Sequence, residues 1–211
     1  INLAVSGGME SMSLAPYIME KVRSGLRMGH ASVKDHMFLD GLEDWETADA
    51  MGCFAQSMSE KYKFSREQMD DFAIHSLKRA QNAIANKYFE GQIAPVTVKD
   101  RKGEQIIDVD EQPGNANIEK IPTLRPAFKK DGTVTAANSS SISDGASALV
   151  VASGHYVQEK GLSPMARIIS HATNSRLPSE FTIAPVGAFQ KTLDKAGWQV
   201  SDVDLFEINE A

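Results

Sequence analysis

Residues 185–211 read PVGAFQKTLDKAGWQVSDVDLFEINEA, and this stretch decides the predicted fold class. A helix is predicted over residues 185–196, because proline in the first turn and Gly197 after the last are typical of helix boundaries. The apolar, strand-favouring side chains of residues 203–208 then predict a short buried strand. Another strand is predicted upstream, at residues 165–170. Because strand, helix and strand follow one another here, the sequence indicates an α/β fold with a parallel layer.

Polar side chains close this stretch, at the carboxyl end of the predicted last strand. Asn209 and Glu210 stand where open α/β sheets bind their ligands. A natural chain more often ends in a frayed surface tail. The chain also starts at Ile1, without an initiator methionine and without the pattern of a targeting segment. We therefore expect both ends to be internal to a longer sequence.

The composition is that of a globular protein with an acidic balance. Its 211 residues are 42% hydrophobic and carry a formal net charge of −6 at pH 7, with both signs interspersed. This pattern lacks the basic surface that nucleic acids or anionic membranes attract. The longest apolar run, residues 148–152, is too short to cross a bilayer. The single cysteine, Cys53, forms no intrachain disulfide, so we expect a reducing compartment, most simply the cytoplasm.

The middle of the chain is predicted to be mostly helical. Apolar residues recur at helical spacing over residues 51–62 and again over residues 65–84. Ser65 and Gln68 have the pattern of a capping box at the start of the second helix, and Gly91 is its predicted end. These signals indicate a helical segment inserted into the α/β layer.

Shorter elements are predicted on either side of this helical segment. Residues 95–98 and 106–109 predict a hairpin with a polar turn at residues 100–103. Further along, residues 146–151 predict a buried strand and residues 155–160 predict a short helix.

Few residues offer catalytic chemistry by themselves. Cys53 has no neighbouring cation that would lower its pKa, so a packed apolar side chain is favoured over a nucleophile. The five histidines have no ligand spacing, and no metal site is predicted. Gly7 and Gly8 follow a strand without a phosphate-binding motif, and close backbone packing is favoured over nucleotide binding.

A run of small polar residues, Asn138-Ser-Ser-Ser-Ile-Ser-Asp-Gly145, stands directly before the predicted strand at residues 146–151. Its hydroxyl groups could line a narrow channel and bind a ligand that carries amides. The alternative is a turn whose side chains satisfy local backbone groups, and composition alone favours this alternative. Asn209 also has two open interpretations. Its amide could fix a loop, or it could hold a water molecule or polarise a carbonyl group.

Several short motifs along the chain occur in an order that is typical of one family. They are Gly7-Gly-Met-Glu-Ser-Met-Ser13, Met51-Gly52, Leu124-Arg-Pro-Ala-Phe128, Gly132-Thr-Val-Thr-Ala136, Asn138 to Gly145 and Asn209-Glu-Ala211. Each motif is short, but together and in this order they are specific. The chain resembles the thiolases, that is, acetyl-CoA acetyltransferases and 3-ketoacyl-CoA thiolases, from its first residue to its last.

This resemblance implies a thiolase-like αβαβα layered fold, incomplete in this chain, with an inserted and mostly helical loop domain that binds coenzyme A. The end of the N-terminal half would cover residues 1–12, and the loop domain residues 13–138. Residues 139–164 would return to the N-terminal half, and residues 165–211 would start the C-terminal half.

The resemblance also implies an enzyme of fatty acid metabolism, an acyl-CoA:acetyl-CoA C-acyltransferase that forms or cleaves 3-ketoacyl-CoA. One cysteine forms an acyl-enzyme, a second acts as acid and base, and the histidine of a Gly-His-Pro motif assists. Cys53 matches neither cysteine position, so we expect all three residues outside this chain and no activity of the chain alone. Coenzyme A thioesters are the implied substrates, and no separate cofactor is implied. The alternatives are a noncatalytic acyl-CoA binding or carrier protein of thiolase-like fold and, less favoured, an unrelated α/β interaction domain.

Site residues follow by motif match to the thiolases. Asn209 is the implied catalytic residue, because it would position the water of an oxyanion hole. The implied substrate contacts are Ser140 and Ala136 at the pantetheine arm, Phe128 near the coenzyme, and Met51 and Phe181 at the acyl and pantetheine channel. Ala50 stands where many short-chain members have histidine, which leaves room for a longer or differently shaped acyl group. Pro113 stands where some members have a basic residue, so that nucleotide contact is not implied.

The implied partners are the acyl-CoA substrates and further copies of the same protein, in a dimer or tetramer, but neither nucleic acid nor membrane. Residues 17–36 correspond to the segment through which many thiolases assemble. Because this stretch has no helical period, an assembly loop and a disordered surface loop are both open interpretations.

Overall fold

The computed structural model describes residues 1–101 and 103–210. Its strands are β1 (Leu3–Glu10), β2 (Tyr17–Met19), β3 (Val33–Asp35), β4 (Val96–Asp100), β5 (Gly103–Ile107) and β6 (Gly145–Ala152). Its α-helices are α1 (Met51–Lys61), α2 (Arg66–Ala85), α3 (Glu111–Asn115), α4 (Gly154–Glu159) and α5 (Ala184–Ala196). The chain divides into two compact units. The helical unit comprises residues 59–140, and the ribbon unit comprises residues 1–58 with the segment from Ser141 onward.

The ribbon unit contains the antiparallel pair of strands β1 and β6. They pair along their whole length, in a register that sets Leu3 opposite Ala152. Gly7 fits this ladder because it has no side chain: a Cβ at this position would collide with the carbonyl oxygen of Ser147. The close backbone approach that the glycine pair predicts is therefore present at Gly7.

The prediction for residues 146–151 is confirmed for the strand and wrong for its burial. Every residue of β1 is exposed, and so is every residue of β6 except Ala152. Val150, for example, is 73% exposed. A two-stranded ribbon has two faces, and this exposure means that no described layer covers either of them.

Residues 17–36 begin and end in a short ribbon. β2 and β3 pair with Tyr17 opposite Asp35, and the His36 N–H donates to the Pro16 carbonyl at 3.1 Å. The connection between the strands, residues 20–32, is exposed throughout.

Helix α5 follows the sequence prediction. It runs over Ala184–Ala196 with a proline in its first turn. Gly197 ends the helix with a φ of 69°, in the left-handed region where glycine carries no steric penalty. The signals for this helix are local, and they suffice to fix both of its ends.

The strands predicted at residues 165–170 and 203–208 do not form, and neither does the parallel layer they would build. Among the described residues, the sheets are three antiparallel pairs, β1–β6, β2–β3 and β4–β5. A strand requires backbone hydrogen bonds from a neighbouring strand, and neither segment has such a neighbour. The strand predictions for residues 165–170 and 203–208 are therefore wrong.

Residues 165–170 and 203–208 both contact helix α5 instead. Ser170 Oγ donates to the Thr192 carbonyl at 2.8 Å. The ring of Phe206 lies edge-on to that of Phe189, with ring centroids 6.2 Å apart. Side-chain contacts of this kind hold the two segments without a backbone ladder.

Helix α2 is the longest element of the helical unit, and it begins with the predicted capping box. Ser65 Oγ accepts a hydrogen bond from the Gln68 N–H at 3.2 Å, and Gln68 Oε1 accepts one from the Ser65 N–H at 2.9 Å. Two N–H groups that the first helical turn leaves unbonded are satisfied in this way.

The predicted end of α2 at Gly91 is wrong, because the helix ends at Ala85. The Asn86 side chain turns back and donates to the Asn82 carbonyl at 2.8 Å, and Lys87 takes a left-handed φ of 55°. An asparagine side chain that bonds a nearby backbone carbonyl competes with helix continuation. Asn86 precedes Gly91 in the chain, so the helix ends before the glycine.

Two other local predictions are confirmed. β4 and β5 form the hairpin, with Val96 opposite Ile107. Its predicted turn includes Lys102, which lies outside the described residues. The short helix at residues 155–160 is α4, which begins after Ser153.

Candidate functional site

An ion pair in the first turns of α2 is the centre of the site. Arg66 and Asp70 are one helical turn apart, and Arg66 Nε lies 2.6 Å from Asp70 Oδ2. The Asp70 side chain is 5% exposed and that of Arg66 is 24% exposed. Removing charges from water is costly, and good geometry with further hydrogen bonds is needed to offset that cost.

The same guanidinium group holds the incoming end of a long loop. Arg66 Nη2 donates to the carbonyl oxygens of Ile121 and Leu124, each at 3.0 Å. Ile121 is itself buried, at 5% exposure, in the small core of the helical unit. The loop therefore leaves this core at a fixed point.

Asn138 holds the outgoing end of that loop. Its Nδ2 donates to Asp70 Oδ1 at 3.1 Å and to the Thr133 carbonyl at 3.0 Å. Its Oδ1 accepts from the N–H of Thr135 at 2.7 Å, and Thr135 is fully buried. Both hydrogens and the oxygen of the amide are thus in use, which fixes the side chain. We refer to Arg66, Asp70 and Asn138 as the anchor residues and to residues 121–138 as the anchored loop.

Between its ends, the anchored loop turns back on itself. The Ala127 N–H donates to the Val134 carbonyl at 2.9 Å, and the Gly132 N–H donates to the Lys129 carbonyl at 3.0 Å. Asp131 takes a left-handed φ of 62°, so the turn lies at the Asp131-Gly132 pair.

Three residues assigned to coenzyme A by motif match lie on or beside this loop. Phe128 is 39% exposed, and Ala136 and Ser140 are exposed as well. Val134 and Thr135, next to Ala136 along the chain, are buried. The anchored loop thus presents small and apolar groups from a backbone that buried neighbours hold in place, which is what precise ligand binding requires.

The other three assigned residues belong to the ribbon unit and lie on separate segments. Met51 begins α1 and is half-buried. Phe181, 37% exposed, lies in the helical turn Pro178–Ile183 that leads into α5. Asn209 is exposed, beyond the segment that packs on α5. The roles assigned to all six residues stay predictions.

Different residues of the serine run fit the two interpretations given above, a ligand-binding channel and a structural turn. Ser139 Oγ donates to the Thr135 carbonyl at 2.7 Å, and the hydroxyls of Ser141 and Ser143 lie 2.8 Å apart. These are the local contacts that a structural turn predicts. Ser140, the assigned position, is exposed between them.

Asp144 closes the serine run with a second cluster, in the ribbon unit. It accepts from the Ser13 N–H at 2.9 Å, from Ser13 Oγ at 2.5 Å and from Ser11 Oγ at 3.3 Å. The hydrogen bonds from Ser13 hold the pKa of Asp144 below its ordinary value, because they favour the ionised carboxylate. This exposed cluster ties the segment after β1 to the segment before β6.

Other candidate chemistry is sparse in the described part of the chain. Among residues 1–101 and 103–210, no group of three histidine, cysteine, aspartate or glutamate side chains could hold a metal ion. Cys53 is half-buried within α1, and its carbonyl accepts from Ser57 Oγ at 3.0 Å. None of the helices described is both long and apolar enough for a transmembrane segment.

Sequence reasoning missed the anchor residues. The Arg66–Asp70 spacing of four residues is a visible signal for a helical ion pair, but such pairs are usually exposed. That Asp70 is buried depends on residues more than fifty positions further along the chain, such as Ile121 and Asn138. In the sequence, Asn138 is conspicuous only as the first residue of the serine run.

Comparison with known protein families gives two matches that together cover nearly the whole chain. Residues 1–155 match the model of the thiolase N-terminal domain, and residues 162–211 match that of the thiolase C-terminal domain.

Individual relatives agree with these matches. The chain is 46% identical over 209 residues to an acetyl-CoA acetyltransferase of Pseudomonas aeruginosa, covering 98% of this chain and 53% of the relative. It is 43% identical over 213 residues to a probable acetyl-CoA acyltransferase of Staphylococcus aureus, covering 100% of this chain and 54% of the relative. The chain therefore spans about half the length of the curated relatives it matches.

Solved structures give the same result for the fold. An acetyl-CoA acetyltransferase from Syntrophomonas wolfei superposes with a TM-score of 0.92 at 38% identity, covering 100% of this chain and 53% of that one. Human mitochondrial 3-ketoacyl-CoA thiolase in complex with CoA superposes with a TM-score of 0.89 at 38% identity, covering 100% of this chain and 52% of that one. The predicted α/β fold of thiolase type is confirmed by these likenesses.

Proposed function

The chain belongs to the thiolase family, and from this premise we propose that the whole protein is an acyl-CoA:acetyl-CoA C-acyltransferase. The observation that carries the proposal is the likeness of the entire chain to enzymes named for this activity, at 46% identity in sequence. The reaction forms or cleaves a 3-ketoacyl-CoA.

In the proposed reaction, a cysteine thiolate attacks the keto carbonyl of a 3-ketoacyl-CoA, or the thioester carbonyl of acetyl-CoA in the synthetic direction, and forms an acyl-enzyme. In the cleavage direction, the bond between the keto carbon and the α-carbon of the thioester breaks. The thiol of a second cysteine then protonates the departing acetyl-CoA carbanion. The thiol of free coenzyme A then attacks the acyl-enzyme and regenerates the cysteine. Cleavage therefore needs the 3-ketoacyl-CoA and free coenzyme A, and we propose no further cofactor.

The contribution of this chain to the reaction would be mainly binding. Ser140, Ala136 and Phe128 would contact the coenzyme from the anchored loop and the residues beside it. Asn209 would hold the water of an oxyanion hole, and Met51 and Phe181 would border the channel. This assignment is supported by the exposure of Phe128, Ala136 and Ser140 on a fixed backbone. Cys53 is not the proposed nucleophile, because it lies half-buried within α1.

The finer features of the proposal follow the same family pattern. Ala50, in place of a larger side chain, favours an acyl group longer than acetyl. Residues 17–36 would form contacts between copies of the protein, in a dimer or tetramer. We place the enzyme in the cytoplasm and in fatty acid metabolism.

A noncatalytic acyl-CoA binding protein of thiolase-like fold is the second candidate, since the residues of this chain that are assigned by motif match are mainly binding residues. The two functions differ in turnover. An acyltransferase consumes 3-ketoacyl-CoA and free coenzyme A together, whereas a binding protein retains both.

The deciding experiment is a thiolysis assay on the protein as it is naturally made. We expect coenzyme A-dependent loss of 3-ketoacyl-CoA, with acyl-CoA and acetyl-CoA formed in equal amounts. A Cys53→Ala variant serves as control and should keep this activity. Tight binding of the thioester without turnover would favour the binding protein, and the absence of both would reject the proposed function.

A further inference from the structure

We propose that Arg66, Asp70 and Asn138 are positioning residues for coenzyme A, which fix the anchored loop so that Phe128 and Ala136 meet the pantetheine arm. This inference rests on the proposed function. It assigns a role in binding to three side chains that lie behind the exposed surface of the loop.

The first argument is that one carboxylate bonds the two side chains that hold the ends of the loop. Asp70 Oδ2 pairs with Arg66 at 2.6 Å, and Arg66 in turn bonds the carbonyls of Ile121 and Leu124. Asp70 Oδ1 accepts from Asn138 at 3.1 Å, at the other end of the loop. Loss of Asp70 would therefore remove the partner that orients Arg66 at the incoming end and the acceptor of Asn138 at the outgoing end.

The second argument is that the charge-assisted bonds of the anchor residues are stronger than the contacts between the loop and α1. One such contact is a hydrogen bond between two neutral hydroxyls, those of Ser59 and Thr133, whose oxygens lie 2.9 Å apart. Lys129 and Glu60 form an ion pair at 2.7 Å, but their side chains are 58% and 46% exposed. Exposed pairs contribute about 0–1 kcal/mol and are screened by salt. The Ala127–Val134 hydrogen bond lies within the loop, so it fixes the shape of the turn and not its position.

The third argument concerns burial. Asp70 is 3% exposed and Thr135 is fully buried, so these groups cannot contact a ligand directly. Their effect on a ligand must pass through the backbone at Ala136 and through Phe128. A binding surface that loses its supporting contacts is held about 1 Å too loosely, and its contacts with a ligand weaken.

The test compares Asp70→Asn and Asn138→Ala with Asp71→Asn in the protein as it is naturally made. Asp71 is the matched control because it is the next residue of α2 and is exposed. The measurements are kcat and KM for coenzyme A in thiolysis, the Kd for coenzyme A by calorimetry, and the melting temperature. We expect KM and Kd to rise about tenfold in the two anchor variants, as for loss of a hydrogen bond to a charged group, with kcat within about twofold.

The outcomes separate the inference from the proposed function. If the unmodified protein binds no coenzyme A, the proposed function fails and the inference fails with it. If the unmodified protein binds and Asn138→Ala binds equally well, the anchor residues are structural only, whatever the melting temperature, and the inference alone is overturned. A fall in kcat at unchanged KM would overturn it as well. Should Asp70→Asn fail to fold, Asn138→Ala decides alone, because it leaves the Arg66–Asp70 pair in place.

Discussion

The anchored loop and the β1–β6 ribbon are stabilised in different ways. The loop depends on a few side chains, because Arg66 bonds its incoming end and Asp70 bonds Asn138 at its outgoing end. The ribbon depends on a backbone ladder, and nearly all of its side chains are exposed. A buried polar group must be paired, whereas an exposed side chain contributes little to stability. Substitutions should therefore affect the loop at its side chains and the ribbon only where its two backbones approach closely.

The largest effect is expected from Asp70→Ala. This change leaves Arg66 without its partner in a partly buried site and removes the acceptor for Asn138, so the free energy of unfolding should fall by about 3 kcal/mol. Urea denaturation measures the change. The control, Asp71→Ala on the same helix, should change it by less than about 0.5 kcal/mol. Equal effects at the two positions would show that the anchor residues contribute no more than the exposed face of α2.

A smaller effect is expected from Gly7→Ala in the ribbon. The new Cβ would collide with the Ser147 carbonyl oxygen, and overpacking of this kind costs about 1–3 kcal/mol. Gly8→Ala is the matched control, because a Cβ at Gly8 meets nothing within 4 Å. Thermal unfolding of both variants makes the comparison. If Gly8→Ala destabilised the protein as much as Gly7→Ala, the close backbone approach at Gly7 would not explain the loss of stability.

The smallest effect is expected from Asp144→Asn, and it should shrink as the pH falls into the acidic range. Because the folded pKa of Asp144 lies below its ordinary value of 3.8, ionised Asp144 stabilises the fold above that value. This contribution is lost as the pH falls through the folded pKa. Melting temperatures measured from about pH 5 to about pH 3 should therefore fall more steeply for the unmodified protein than for Asp144→Asn. Parallel curves would mean that the Ser13 hydrogen bonds do not favour the ionised form.

Local signals predicted the elements that depend on neighbouring residues. The capping box at Ser65 and Gln68 and the glycine stop at Gly197 are formed within one helical turn, so the sequence alone specifies them. The β4–β5 hairpin is local in the same sense.

Predictions that needed distant partners were less successful. Residues 203–208 have the pattern of a buried strand, but a pattern does not supply the neighbouring strand. The anchor residues were missed for a related reason, since Arg66 bonds the Ile121 carbonyl and Asp70 bonds Asn138, and no local window contains these partners. Motif order, by contrast, identified the family, because it draws on the whole length of the chain.

The most direct test of the account is hydrogen–deuterium exchange with and without saturating coenzyme A, on the protein as it is naturally made. The account predicts that the coenzyme slows exchange in peptides covering residues 124–140 and leaves the β4–β5 hairpin, Val96–Ile107, unchanged. Protection confined to other segments, with residues 124–140 unaffected, would contradict the assignment of the anchored loop to coenzyme A.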